Sequence, residues 1–215
     1  MLRQIARPIL AAAAFACLSG FTIVWDKPAS ETGEKAVPQT DEARMAAYAQ
    51  ENWQNKVVPV IEEHVVPLAK LRGLVAESAD KAGEAYGLRP EGEANPWNFA
   101  VSGEGKIVGA KLKSRAAKLE VDTDGDGKGD VTIQLGPVIR GTALRDAMPF
   151  INFTDFRDQI EFAKLANALN DVAHGRLSLP ESDPTGETAH FEGVFTLRGD
   201  AASIELVPTK LTIGG

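Results

Sequence analysis

Nine consecutive residues, Asp122-Thr123-Asp124-Gly125-Asp126-Gly127-Lys128-Gly129-Asp130, place carboxylates at relative positions 1, 3, 5 and 9 with glycine at 6. Alternate carboxylates can converge on one hard cation when glycines let the backbone wrap, and without a cation four such charges in nine residues repel. Asp122, Asp124, Asp126 and Asp130 are therefore candidate ligands for a structural calcium ion. The twelfth position counted from Asp122 is Ile133, not the bidentate glutamate of an EF-hand, and no helical pattern flanks the loop, so that motif is excluded. Asp and Gly are also what a tight hairpin demands, which makes a solvated turn the alternative.

A second constellation follows at Arg140, Thr142, Arg145 and Asp146. Two guanidiniums beside glycine bends suit a carboxylate or phosphate group, so Arg140 and Arg145 are candidate ligand- or partner-binding residues. Arginine next to aspartate in a tight segment is also a common way to brace a loop through an ion pair. Trp97 and Phe99 could stack on a sugar or a base, but they stand among alternating apolar residues that mark a core.

Catalytic signatures are missing. His64, His174 and His190 lie far apart in the chain, clustered His or Cys for zinc is lacking, and there is no nucleophile elbow or phosphate loop. The expectation is a non-enzymatic protein. A formal charge of −7 over 215 residues argues against nonspecific nucleic-acid binding, which needs a basic face to replace the counterions of phosphate.

The elements that must position these residues are legible in the apolar spacing. Thr40 or Asp41 can cap a helix with Glu42 in its first turn, and Met45, Ala49, Trp53, Val57, Ile61, Val65, Leu68, Leu71 and Val75 recur at steps of three and four. Pro59 and Pro67 interrupt that stripe, which predicts two or three helices or a kinked one, ending near Tyr86-Gly87. Such a stripe docks on a core or, alternatively, lies in the groove of a partner. Beyond Pro96 the alternation becomes that of strands, through Trp97-Val101, Ile107-Leu112, Leu119-Val121 and Val131-Leu135. A helix capped at Thr154 or Asp155 and ending near His174-Gly175 comes next, then two strands, Ala189–Leu197 and Ser203–Ile213. Three strands, a helix and two strands is the order of an OB-type barrel. The fold expectation is α+β: an N-terminal helical segment over residues 41–88, then a five-stranded β-barrel over 96–215 with one helix between strands 3 and 4, plugging one end.

The N-terminus supplies an address. Arg3 and Arg7 precede an apolar run, and Ala14-Phe15-Ala16 obeys the small-x-small rule for cleavage immediately before Cys17, the only cysteine of the chain. Cys17 is thus a candidate lipidation site. The lipobox leucine is replaced by Ala14, and the apolar stretch from Pro8 to Trp25 is also long enough for an uncleaved anchor helix. On either reading residues 1–25 are a signal or anchor, residues 26–40 a polar linker, and the rest lies outside the cytoplasmic membrane. Removing residues 1–16 leaves 21 basic against 30 acidic residues, a formal −9.

The segment LGPVIRGTALRDAMPFINFTDF, with VDTDGDGKGDVTI before it, QIEFAKLANALND after it and EANPWNFAVSGEGKIV upstream, resembles the predicted periplasmic lipoprotein family known as domain-of-unknown-function family 2291. The resemblance spans nearly the whole mature chain. It implies an OB-type barrel behind a helical segment, anchored outside the cytoplasmic membrane, and genes that often sit beside sugar import systems of the ribose type. An accessory or binding component of a sugar ABC import system is the expectation, with a structural envelope module carrying a calcium-stiffened hairpin as the alternative. The resemblance implies no established activity.

Overall fold

The computed structural model describes residues 40–90 and 95–214. Helix α1 (Asp41–Asn52) starts at Thr40, whose Oγ1 accepts from the Ala43 N–H at 3.2 Å, and Asp41 and Glu42 lie in its positive first turn. A π segment (Trp53–Val57) and α2 (Val58–His64) continue it without a break. Met45, Ala49, Trp53, Val57 and Ile61 are all buried. A stripe stepping by four drifts around a helix of 3.6 residues per turn, and the wider π turn brings it back. The same widening carries the chain past Pro59, whose missing N–H falls in the first turn of α2.

Pro67 separates α2 from α3 (Leu68–Glu77), and α4 (Ala79–Tyr86) follows behind the Ser78 cap. Between α2 and α3 the two residues of β1 (Val66–Pro67) pair parallel with Val101 and Ser102, a strand too short to leave an alternation in the sequence.

The barrel strands are β2 (Asn98–Lys111), β3 (Ala116–Asp122) and β4 (Val131–Pro137). After them come α5 (Ala143–Asp146), a 3-10 turn (Phe153–Asp155) and α6 (Gln159–His174), then β5 (Thr188–Thr196) and β6 (Ile204–Ile213). The sheet runs β2-β3-β4-β6-β5 and closes because the front of β2 pairs with β5 while its back pairs with β3. Parallel pairing occurs at the β4–β6 seam, from Val131 opposite Ile204 to Ile133 opposite Leu206. Helix α6 is capped by Asp158, whose Oδ1 accepts from Ile160 N and Glu161 N, and not by Thr154 or Asp155, which sit in or beside the preceding 3-10 turn.

Two apolar layers result. Inward-facing Phe99, Val101, Ile107, Leu119, Val121, Ile133, Phe191 and Leu206 fill the barrel, joined there by Leu68, Leu71 and Val75 of α3. Outward-facing Ala100, Val194 and Val207 are covered by Met45, Trp53 and Ile61 together with Leu165, Leu169 and Val172 of α6. The plug expected of α6 is thus a correction: the interior cluster draws its helical members from α3 and α4, because α6 spends its apolar face on α1 and the outer wall. The apolar stripe of residues 45–61 is buried internally, which leaves it no free face for a partner.

Candidate functional site

The aspartate turn joins β3 to β4. Asp122 is buried at the end of β3, where its two carboxylate oxygens accept from Gly125 N at 2.7 Å and Gly127 N at 2.9 Å. Gly125 and Gly127 have φ of +83° and +86°, which lets the chain curl around that carboxylate. The Gly125 and Gly127 N–H groups outweigh burial and hold the Asp122 carboxyl below the ordinary aspartate range. Asp124 and Asp126 each accept from a backbone N–H two residues on. Asp122, Asp124 and Asp126 place one oxygen each within 4.8 Å of one another.

Asp130, the fourth candidate, is turned elsewhere. Its Oδ2 meets Arg72 Nη1 of α3 at 2.7 Å and its Oδ1 accepts from Thr123 N at 3.0 Å. The twelfth position, Ile133, is fully buried in the barrel. Three carboxylates, one buried and two exposed, suit calcium's oxygen preference better than any metal needing His or Cys.

The two candidate arginines part company. Arg145 is consumed: Nε and Nη2 lie 2.8 and 2.7 Å from Asp146 Oδ1, Nη1 donates to the Phe162 carbonyl at 3.1 Å, and the guanidinium lies 3.8 Å over the Phe162 ring. Thr142 Oγ1 donates to the other Asp146 oxygen at 2.5 Å. This is a brace between α5 and α6.

Arg140 is held only by its backbone. Its N–H donates to Gln134 Oε1 at 2.8 Å and its carbonyl accepts from Gln134 Nε2 at 3.1 Å. Asn170 of α6, buried, donates to Gly141 O at 3.1 Å and steadies the same loop. The Arg140 guanidinium is exposed and has no hydrogen-bond or ion-pair partner among the described residues. It borders a groove of about 500 Å³ along the β4–β6 seam, shared with Arg198, Asp200, Ser203 and Glu205, and a smaller one of about 220 Å³ toward Lys111 and Lys118.

Other sequence candidates are structural. Phe99 is fully buried, its ring centroid 5.9 Å from that of Phe195, and Trp97 is half-buried beneath the Arg89 guanidinium at 3.8 Å. Neither offers a free platform. His174 Nδ1 bonds the Leu135 carbonyl at 2.7 Å, His64 Nδ1 bonds Val60 O within its own helix, and His190 pairs with Glu104 on the surface. Cys17, the signal or anchor and residues 26–39 of the linker lie outside the described residues, while Thr40 caps α1.

Sequence reasoning passed over the β2–β3 hairpin, KLKSRAAK, with four cations and no acid in eight residues. The signal was there in the local charge, masked by the acidic total.

A closed five-stranded barrel with a parallel third-to-fifth strand seam and a helix between strands three and four defines an OB-fold protein. It is similar to the crystal structure of an OB-fold protein from Thermotoga maritima, with a TM-score of 0.58 and 19% identity, over 79% of this chain and 97% of that one. The chain belongs to the family described as predicted periplasmic lipoprotein (DUF2291), whose model matches residues 11–212. Membership gives it a periplasmic address. No functionally curated protein matches the chain.

Proposed function

We propose that this lipoprotein is a non-catalytic binding component of the periplasm, tethered through Cys17, that serves a sugar ABC import system by engaging an acidic solute or a transporter component at Arg140. The carrying observation is the division of labour in the 140–146 segment. Arg145 is locked into Asp146 and Phe162, whereas Arg140 has a backbone fixed by Gln134 and a guanidinium left open. A backbone already fixed need not be ordered again when the open guanidinium grips a carboxylate or phosphate, and the neighbouring Ser203 and Asp200 can take hydroxyl groups. OB barrels bind ligands over strands 2 and 3 and the loops joining strands 1–2 and 4–5, and Arg198 and Asp200 of this groove lie in the loop between the fourth and fifth barrel strands.

Deletion of the gene, complemented by wild type or by Arg140→Ala, with uptake of labelled sugars as the readout, tests this. Wild type restores uptake and the variant does not. Unchanged uptake on deletion removes the import role.

A second reading is favoured by one specific observation, the convergence of Asp122, Asp124 and Asp126. On it, calcium stiffens the hairpin of an envelope module whose role is structural. The two readings are compatible, since a rigid turn on the α3 side leaves Arg140 untouched.

A further inference from the structure

We infer that the β2–β3 hairpin end of the barrel docks on anionic lipid headgroups, orienting the tethered body on the membrane surface. This goes beyond the Arg140 reading and needs only the lipoprotein address.

The hairpin loop, residues 112–115, is joined to the β4–α5 loop by the Val138 N–H donating to Arg115 O at 2.8 Å. Around that joint stand Lys111, Lys113 and Arg115, all exposed and all without an ion-pair partner among the described residues. Arg140 borders the same face. Acids there are few: Glu120 takes Lys118 at 2.7 Å, and Glu205 is the remaining carboxylate lining that surface. Lys111 is the direct cross-strand partner of Lys118, whose charge Glu120 already meets, so Lys111 is the cation of that pair left open.

Val138, bonded through its N–H to Arg115 O, is 42% exposed and lines the depression with Lys111, Lys118 and Arg140. An exposed apolar side chain ringed by long cationic ones matches the lipid interface, where the valine enters the headgroup layer and the ammonium and guanidinium groups meet phosphates. A mature chain of formal charge −9 is otherwise repelled by such a surface, so this basic end sets the orientation. A soluble polyanion could satisfy the charges but has no use for Val138.

Both apolar clusters are built from residues 45–213, and residues 37–215 form one compact unit, so a fragment beginning at Val37 carries the complete core. Co-sedimentation of this fragment with phosphatidylcholine vesicles, with and without phosphatidylglycerol, tests the inference. Binding is expected on the anionic vesicles alone, weakening as salt rises. Each cation removed lowers partitioning about fivefold, so Lys113→Ala with Arg115→Ala lowers it about 25-fold, with an unchanged melting temperature because both are exposed. Val138→Ser weakens binding further without changing charge. Arg198→Ala, which lines the solute groove but not the hairpin, leaves vesicle binding unchanged and so separates this result from failure of the Arg140 reading. Equal binding to neutral vesicles, no binding to anionic ones, or indifference to the double substitution overturns the inference. So does binding to inorganic polyphosphate without binding to vesicles, which would assign the face to a soluble polyanion.

Discussion

Arg72 of α3 and Asp130 at the head of β4 are joined at 2.7 Å, and through this pair one arginine ties the helical segment to both loops at that end of the barrel. Its Nε donates to Ala201 O at 2.9 Å and its Nη1 also reaches Thr123 Oγ1 at 2.7 Å. Asp130 therefore braces the fold and does not converge with Asp122, Asp124 and Asp126. Arg72→Ala strands a mostly buried carboxylate and should lower stability by about 2–3 kcal/mol in urea unfolding, with Asp130→Ala comparable and the double substitution well below the sum.

Calcium should raise the melting temperature of the chelator-treated 37–215 fragment. At a hundredfold excess over the dissociation constant the stabilisation is about 2.7 kcal/mol, which corresponds to roughly 5–10 °C for a domain of this size. Asp124→Ala with Asp126→Ala should abolish both the shift and the heat of calcium titration, while Asp130→Ala should leave binding detectable. No heat and no shift at millimolar calcium would make the turn a plain hairpin.

Acid titration should report on Asp122. The N–H of Gly125, then that of Gly127, holds its carboxyl below the ordinary 3.8 in the folded protein. Its contribution is therefore complete above that value and is lost as pH falls through the lower folded value. Unfolding monitored in that acid range should fall more steeply for wild type than for Asp122→Asn, and the two curves should run parallel near neutral pH.

The two motif arginines should separate cleanly. Arg145→Ala leaves Asp146 facing the protein without its cation and should cost about 2–4 kcal/mol. Arg140→Ala removes an exposed side chain and should change stability by less than about 0.5 kcal/mol while impairing solute uptake.

Gly83→Ala sets propensity against packing. Alanine favours the helix by about 1 kcal/mol, but its Cβ would lie 2.2 Å from Trp97 Cε2, beneath the Arg89 stack. Overpacking costs about 1–3 kcal/mol, so the net effect should be destabilising, read as a lower denaturation midpoint with the slope unchanged.

Much of this architecture was legible because strand and helix periods are local. Leu119-Val121 and Val131-Leu135 alternate as inward strand residues must, the stripe from Met45 to Ile61 marked one buried face, and the order of elements spelled the barrel. The aspartate turn was visible for the same reason, since Asx hydrogen bonds and glycines of positive φ act within a few residues. What α6 packs against was not, because an apolar face states that it will be buried and leaves the partner unnamed.

Sequence alone determined the α+β order, the secretory address and the short list of charged candidates. Only the tertiary structure decided their roles. Asp130 was drawn from the turn by an arginine 58 residues earlier, Arg145 was neutralised by its neighbour and by α6, and Arg140 was left open because Gln134 holds its backbone instead of its charge. The hairpin cations acquired a meaning only when folding set Val138 among them. A side chain's chemistry is written in its type, but its availability depends on which distant group reaches it first.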